Sequence, residues 1–160
     1  HQERELVALI ELLFFAYRDF VSDPDQMLEE LSFGRAHHRV LHFVGRDPGM
    51  TVAQLLDILR ITKQSLGRVL KDLIDKGYVF QREGDHDRRQ RLLYLTDQGA
   101  ALHQKLMAPQ VERFRHALAE TQGLDNDLLR ATLLSLASPE NRDEIADWIT
   151  RAGQAAGHGE

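Results

Sequence analysis

The stretch that decides the fold is Thr51–Thr96, which reads TVAQLLDILRITKQSLGRVLKDLIDKGYVFQREGDHDRRQRLLYLT. Thr51 and Gln54 have the spacing of a capping box, in which a Thr hydroxyl and a Gln side chain satisfy backbone amides at the start of a helix. Leucines follow at helical spacing, and Thr62 is placed as the N-cap of a second helix that ends at Gly77. This pattern predicts two short helices joined by a tight turn.

A charged hairpin is predicted directly after the second helix. Tyr78–Arg82 and Arg89–Leu95 are rich in aromatic and branched residues, which favour strands, and residues 83–88 between them have the composition of a hairpin tip. Thr96 then caps a long predicted helix that runs to about residue 120, in which Pro109 predicts a kink near residues 105–109. Two helices followed by a hairpin wing are typical of a winged helix-turn-helix.

The segment before this stretch is predicted to be helical. Glu3–Val21 carries a broad apolar stripe at helical spacing, and Ser22–Asp25 is expected to stop that helix because of its proline. Met27–Leu31 is expected to be a short helix or an irregular loop. Phe33–Val44 predicts another helix, which Gly45 is expected to close in a left-handed conformation.

Two more helices are predicted after residue 120, one around Leu128–Leu136 that Ser138-Pro139 stops and one over Glu140–Ala152. The expected fold class is mainly α with a small β-hairpin wing. The predicted division of the chain is a helical dimerisation region formed by residues 1–31 and 100–152, a winged helix-turn-helix over residues 32–99, and a flexible tail over residues 153–160.

Composition narrows the class of protein. Of the 160 residues, 42% are hydrophobic and 28% are charged, and no apolar run approaches the roughly 18 residues of a membrane-spanning helix. The given sequence shows no signal peptide, and we expect a cytoplasmic protein without a membrane partner. Because there is no cysteine, disulfides, thiolate zinc sites, cysteine nucleophiles and thiol redox switches are excluded.

Charge is distributed unevenly along the chain. The net charge is −5, yet residues 60–91 contain nine Lys or Arg against five Asp or Glu, which leaves −9 for the rest. A local cationic segment in an acidic protein is typical of a nucleic-acid-binding surface.

The second helix and the hairpin carry the side chains suited to duplex DNA. The helix presents polar residues on the face that its leucines leave free, as a helix in the major groove does, and Gly67 on that face would allow close approach. Arginines on an extended hairpin can reach phosphates or a narrow minor groove, and Asp87 is placed to brace Arg89. The candidate DNA-binding residues are Thr62, Lys63, Gln64, Ser65, Arg68, Lys71, Arg82, Asp87, Arg88, Arg89 and Arg91.

Thr51–Gly99 resembles the core of the MarR (multiple antibiotic resistance regulator) family of transcriptional regulators. The resemblance is carried by Ser65 in the second helix and by three short segments, Leu73–Val79, Asp87–Arg89 and Leu95–Gly99. It implies an obligate homodimer with interlocked terminal helices that binds palindromic operator DNA, usually as a repressor. It also implies that Arg89 enters the minor groove with Asp87 beside it. Apart from the resemblance, the apolar terminal helices themselves indicate a dimer.

The resemblance further implies release from DNA by a small molecule, such as an aromatic acid, or by a metal. Residues that could form the wall of an effector site, where a cationic side chain over an aromatic floor would suit a carboxylate, are Phe14, Tyr17, Phe33, His37, His38 and Arg39. His38 and His42 have the i, i+4 spacing of a metal pair, but only folding could bring His103 or His116 to them. We therefore expect no metal, haem or other cofactor.

The alternatives are an enzyme and a winged helix that contacts only proteins or senses a metal or haem. No Gly-rich phosphate loop, Gly-x-Ser-x-Gly or His-Glu-x-x-His occurs in the sequence, and Asp85-His86-Asp87, the best acid–base grouping, lies at a hairpin tip. We expect no enzymatic activity. Strong salt dependence would distinguish DNA binding from protein contact.

Overall fold

The computed structural model of the chain describes residues 1–156. Within that range the chain is mainly helical, with one small antiparallel sheet, as the sequence predicts. The elements in chain order are α1 (Gln2–Phe20), α2 (Ser22–Glu30), α3 (Arg35–Arg46), β1 (Met50–Thr51), α4 (Val52–Leu59), α5 (Lys63–Asp75), β2 (Val79–Glu83), β3 (Arg91–Leu95), α6 (Asp97–Glu120), α7 (Asn126–Leu136), a 3₁₀ turn (Pro139–Asn141) and α8 (Arg142–Ala156).

Two compact units divide the chain, His1–Arg113 and Phe114–Glu160. The core of the first unit lies among α2 to α6 and the sheet, and Leu41, Leu55, Leu73 and Leu93 in it are fully buried. The second unit contains the end of α6 together with α7 and α8, which contact each other. The division of the chain into dimerisation and DNA-binding regions stays a prediction.

Side-chain caps define the starts of α4, α5 and α6 as the sequence predicts. The Thr51 hydroxyl accepts from the Gln54 amide at 3.1 Å, and the Gln54 side chain accepts from the Thr51 amide at 2.8 Å. The Thr62 hydroxyl accepts from the Ser65 amide at 3.0 Å, so it caps α5. Thr96 does the same for α6, where its hydroxyl accepts from the Gly99 amide and donates to the Gly77 carbonyl. These caps fix the winged helix locally.

The sheet has three strands in the order β1-β3-β2. Met50 lies opposite Leu93, and Val79 lies opposite Leu95. The sequence predicts β2 and β3, although this prediction begins the second strand two residues too early. It missed β1, because a strand of two residues has no periodicity of its own and forms only by pairing with β3.

Two local predictions were wrong in the N-terminal half. Ser22–Asp25 does not stop the chain in a turn but begins α2, because Pro24 lies in the first turn of that helix, where a missing N–H costs little. The short helix that was one of the two expectations for Met27–Leu31 is confirmed, since Met27 lies in the middle of α2. Gly45 is not a left-handed cap but lies inside α3; the left-handed glycine is Gly49, with a φ of 86°.

The C-terminal prediction was wrong in its last boundary. Residues 153–156 were predicted as part of a flexible tail, yet α8 continues through Ala156. The rest of the predicted tail, residues 157–160, lies outside the described residues. Pro109 lies inside α6 as predicted. Within residues 1–156, no helix combines the length and the apolar character needed to cross a membrane.

Candidate nucleic-acid interface

The winged helix brings all eleven candidate DNA-binding residues to its surface. Nine of them are exposed, and the other two, Ser65 and Asp87, are half-buried. Six belong to α5 or its cap, and five belong to β2, the tip of the hairpin or the start of β3. The prediction that these side chains bind DNA stays a prediction, but their placement on one module is what it requires.

The helix α5 separates its apolar and polar faces cleanly. Leu66, Val69, Leu70 and Leu73 are buried in the core, whereas the polar face is exposed. Among the described residues, no side-chain hydrogen bond or ion pair occupies Lys63, Gln64 or Arg68. These three side chains are therefore available to an external partner.

Ser65 and Lys71 on the same helix already have partners. The Ser65 hydroxyl lies 2.9 Å from the Thr62 hydroxyl, so the cap holds it in place. Lys71 pairs with Asp75 one turn later, and this hydrogen bond raises the pKa of the lysine. Because the pair is exposed, Lys71 can exchange this carboxylate for a phosphate at little cost.

Gly67 interrupts the polar face of α5 with a bare stretch of backbone. A Cβ atom added there would have no protein atom within 4 Å among the described residues. No packing contact within the described chain therefore explains a residue that weakens a helix by up to about 1 kcal/mol relative to Ala. An external surface that approaches the backbone closely would explain it.

The hairpin holds its arginines by local contacts. Asp87 Oδ1 accepts from the Arg89 amide at 3.0 Å and from Arg89 Nε at 3.3 Å, which confirms the predicted bracing. Arg91 Nη1 donates to the Arg88 carbonyl at 3.0 Å. At the tip, a Cβ on Gly84 would lie 2.6 Å from the Asp87 carbonyl oxygen, so a side chain there would disturb the turn. The Arg89 side chain is 93% exposed, so it projects away from the protein while its base is tied to Asp87.

An aromatic cluster that the sequence analysis did not single out lies on the outer face of the sheet. The rings of Phe80 and Tyr94 stack with centroids 5.3 Å apart, and the Arg82 guanidinium lies 5.3 Å from the centroid of each ring. The signal was present in the alternation of the strands, since Val79 and Leu93 face the core while Phe80, Arg82 and Tyr94 face away from it.

The six candidate effector residues fall into separate groups. Phe33 is buried, stacks on His37 at 4.6 Å and receives the Lys76 ammonium over its ring. Both nitrogens of His37 are engaged, since Nδ1 accepts from the Gly34 amide at 3.0 Å and Nε2 lies 3.1 Å from Asp72 Oδ2. These contacts make His37 a link between α3 and α5.

The remaining candidates are more open. Arg39 Nη2 donates to the Tyr17 hydroxyl at 3.3 Å, and Phe14 is 70% exposed on α1. Burial lowers the pKa of His38, so this side chain favours the neutral form. The structure thus groups Tyr17 with Arg39 and separates them from Phe33 and His37. An effector site here stays a prediction.

Histidines from α3 and α6 meet in the core of the first unit. The rings of His42 and His103 have centroids 5.6 Å apart, and a Cβ on Gly45 would lie 2.7 Å from the His103 ring, so glycine permits this close contact. Burial lowers the pKa of His103, and burial together with His103 lowers the pKa of His42 to about 4. Within residues 1–156, no group of three or more His, Asp or Glu side chains is arranged to hold a metal ion.

Comparison with known proteins agrees with this architecture. A family model described as MarR family matches residues 31–90. The HTH-type transcriptional regulator PetP of Rhodobacter capsulatus is 52% identical over 108 residues, which are 68% of this chain and 65% of PetP. The chain therefore matches slightly less than two thirds of that relative's length.

Solved structures share the fold. S. aureus MepR in its DNA-binding conformation superposes with a TM-score of 0.69 at 18% identity, over 80% of this chain and 95% of MepR. A mutant MarR from E. coli, complexed with operator DNA, superposes with a TM-score of 0.60 at 23% identity, over 84% of this chain and 96% of that one.

The class that the fold defines is the winged helix-turn-helix protein. Within that class, residues 31–90 of this chain match the MarR family model. The resemblance carried by residues 51–99 is thereby confirmed. PetP is an HTH-type transcriptional regulator, and the E. coli MarR structure is a complex with operator DNA, in agreement with the expectation of no enzymatic activity.

Proposed function

We propose that this protein is a transcriptional regulator that binds double-stranded DNA sequence-specifically, as a homodimer on a palindromic operator. The observation that carries the proposal is the exposed polar face of α5 together with the arginines of the wing, all on one closed module. A helix of this kind fits a major groove about 12 Å wide, and an arginine hairpin fits the neighbouring backbone and minor groove.

The two parts of the interface have different tasks in this proposal. Gln64 and Arg68 on α5 read base edges, since amide and guanidinium groups form paired hydrogen bonds with adenine and guanine. Arg89 enters the minor groove, and Arg82 and Arg91 contact phosphates. Because phosphate contacts carry no sequence information, the wing supplies affinity and the helix supplies specificity.

Exposed apolar surface supports the homodimer. No residue of α1 is buried, although Leu9 is 61% exposed and Phe14 is 70% exposed on a helix of 19 residues. In the second unit, Leu128 and Leu136 on α7 are exposed to a similar degree. Large exposed apolar faces mark protein interfaces, and two-fold symmetry would place two copies of α5 in successive major grooves, about 34 Å apart.

Regulation completes the proposal. The protein is a cytoplasmic repressor that a small aromatic acid releases from DNA. The Tyr17–Arg39 pair supports such a site, because Arg39 already donates to an oxygen that a carboxylate could replace. Phe14 and His38 would then contact the ring of the acid. Phe33 and His37 would not contact the acid directly and would act through their contacts with α5.

The primary test selects DNA fragments with the purified protein from a random-sequence library, with and without aromatic acids, haem and Zn²⁺. We expect enrichment of one palindromic sequence and its loss with an aromatic acid. Binding that shows no enrichment, or that does not weaken as salt increases, would contradict sequence-specific binding to duplex DNA.

Two variants then separate the parts of the interface. Arg89→Ala should weaken binding to the selected and to random duplexes alike and reduce the slope of log K against log salt, because one positive charge close to the phosphates is removed. Arg68→Ala should relax the preference at one base position, by about 1–3 kcal/mol. Arg4→Ala, on exposed α1, is the matched control for removing one positive charge. Equal losses across all operator variants would contradict base reading by Arg68.

A further inference from the structure

The outer face of the wing contains a cation held without a counter-charge. Arg82 is exposed on β2, and within the described residues no carboxylate pairs with it. Its guanidinium instead lies over Phe80 and Tyr94, 5.3 Å from the centroid of each ring. A planar guanidinium over aromatic faces is held by the ring electrons, while its N–H groups stay free at the edges.

The sheet makes this arrangement rigid. Phe80 lies directly opposite Tyr94 in the β2–β3 register, and their rings stack at an interplanar angle of 17°. The Tyr94 hydroxyl lies over the turn at Gly49, where a Cβ would be 3.0 Å from that oxygen. Both rings are half-buried. The aromatic platform, Phe80 and Tyr94, therefore has a fixed position before any partner arrives.

Three arginines of the wing are each held by a different kind of contact. Arg89 is tied to the Asp87 carboxylate, and Arg91 is tied to the Arg88 carbonyl. Arg82 differs from these two arginines, because the platform holds it without using any of its hydrogen-bond donors. A phosphate that approached Arg82 would thus find every N–H group available and a side chain whose freedom is already restricted.

We propose that Phe80 and Tyr94 are positioning residues for DNA binding, which hold the Arg82 guanidinium in place over the outer face of the wing for contact with a backbone phosphate. The inference rests on the proposed function and makes it specific, because it assigns part of the affinity to two aromatic side chains that touch no DNA. It further requires arginine at position 82, since a lysine ammonium has the same charge but cannot lie flat across both rings.

The test measures fluorescence anisotropy of a labelled random-sequence duplex of about 30 base pairs, titrated with the full chain over a series of NaCl concentrations. Four proteins form a cycle: the parent, Arg82→Ala, the double variant Phe80→Leu with Tyr94→Leu, and the triple variant. We expect Arg82→Ala to reduce the salt slope by about 0.9 for each phosphate that Arg82 neutralises in the parent. The double variant should bind about threefold to tenfold more weakly than the parent, and it should keep more of the salt slope than Arg82→Ala does. In the Arg82→Ala background, removal of the rings should have no further effect.

Two more variants keep the test independent of folding. Arg82→Lys leaves both rings and the charge in place, and it should weaken binding about as much as removal of the platform does. Tyr94→Phe keeps the ring over which the guanidinium lies, and it should retain most of the affinity that the double variant loses. Thermal melting of every variant reports whether the fold is retained.

The outcomes separate the inference from the function it rests on. Equal losses of affinity from the ring substitutions in both backgrounds, or full affinity in Arg82→Lys, would overturn the positioning role. An Arg82→Ala protein that binds as the parent does, while Arg89→Ala is weakened, would also overturn it and leave the proposed function standing. Absence of salt-dependent binding in the parent itself would overturn the proposed function.

Discussion

The winged helix and the first helix of this chain use apolar residues in opposite ways. In the winged helix, leucines from α3, α4, α5 and β3 are fully buried in one core. In α1, the leucines have the same kind of helical spacing but are all more than half exposed, and Leu9 reaches 61%. A helical pattern of leucines therefore does not say what it packs against. The winged helix has closed its core within one chain, whereas α1 leaves exposed an apolar face of the kind that marks protein interfaces.

The largest expected effect comes from a substitution that disrupts the exposed apolar face of α1. Leu9→Glu places a charge on the exposed apolar face of α1, and burying that charge between two chains would be costly. We expect the dimer to dissociate and operator affinity to fall about 100-fold or more, because each winged helix would then bind its half-site alone. Sedimentation at micromolar concentration and titration of the selected operator measure the two effects.

The matched control for this variant is Glu11→Lys, a charge change on the same exposed helix. It should leave sedimentation unchanged. A Leu9→Glu protein that remains dimeric would show that the α1 face is not the interface, even if DNA binding were intact.

The second prediction concerns the core of the winged helix and the histidines that lie in it. The pKa of His42 is lowered from 6.5 to about 4, mainly by burial, with additional effects from His103, His38 and Arg46. Above pH 6.5 both the folded and the unfolded chain hold this imidazole neutral. Between pH 6.5 and about 4 the unfolded chain binds the proton and the folded chain does not, so the free energy of unfolding falls as the pH falls.

Because His42 retains some exposure to solvent, we expect its share to be on the order of 2 kcal/mol rather than the full value of the shift. Lowered pKa values of His38 and His103, caused first by burial, act in the same direction. Urea unfolding of the parent and of His42→Gln at pH 7.5 and 4.5 measures the effect. The variant should lose less stability than the parent over this range; parallel losses would show that His42 is not responsible.

The sequence predicted the winged helix well because its signals there are local. The Thr51 and Thr62 caps, the glycine at 77 and the leucines of α5 each specify their own neighbourhood, and the structure confirms them. The Asp87–Arg89 contact spans two residues and could be predicted for the same reason.

The signals that failed depend on contacts between distant parts of the chain. Gly45 looked like a helix cap, but its role is to admit the His103 ring, more than fifty residues away. The two-residue strand β1 exists only because β3 pairs with it. The contacts of both His37 nitrogens with Gly34 and Asp72 were not predicted either, and a role of His37 in an effector site stays a prediction. Spacing along the chain could not show these contacts.

The smallest expected effect sharpens the comparison within the winged helix itself, where two glycines differ in what surrounds them. A Cβ at Gly99 would collide with the Tyr78 carbonyl oxygen, whereas a Cβ at Gly67 would meet no protein atom within 4 Å among the described residues. Gly67→Ala should therefore raise the free energy of unfolding, by up to about 1 kcal/mol, because alanine is the better helix former.

The same Gly67→Ala variant should bind operator DNA more weakly, because the added methyl group lies on the polar face between Gln64 and Arg68, where bases would approach. Thermal melting and operator titration of one protein sample measure both effects, and their opposite signs are the diagnostic result. Gly99→Ala should lose stability and binding together. A Gly67→Ala protein that is more stable and binds DNA as well as the parent would show that the polar face of α5 does not approach DNA closely at this position.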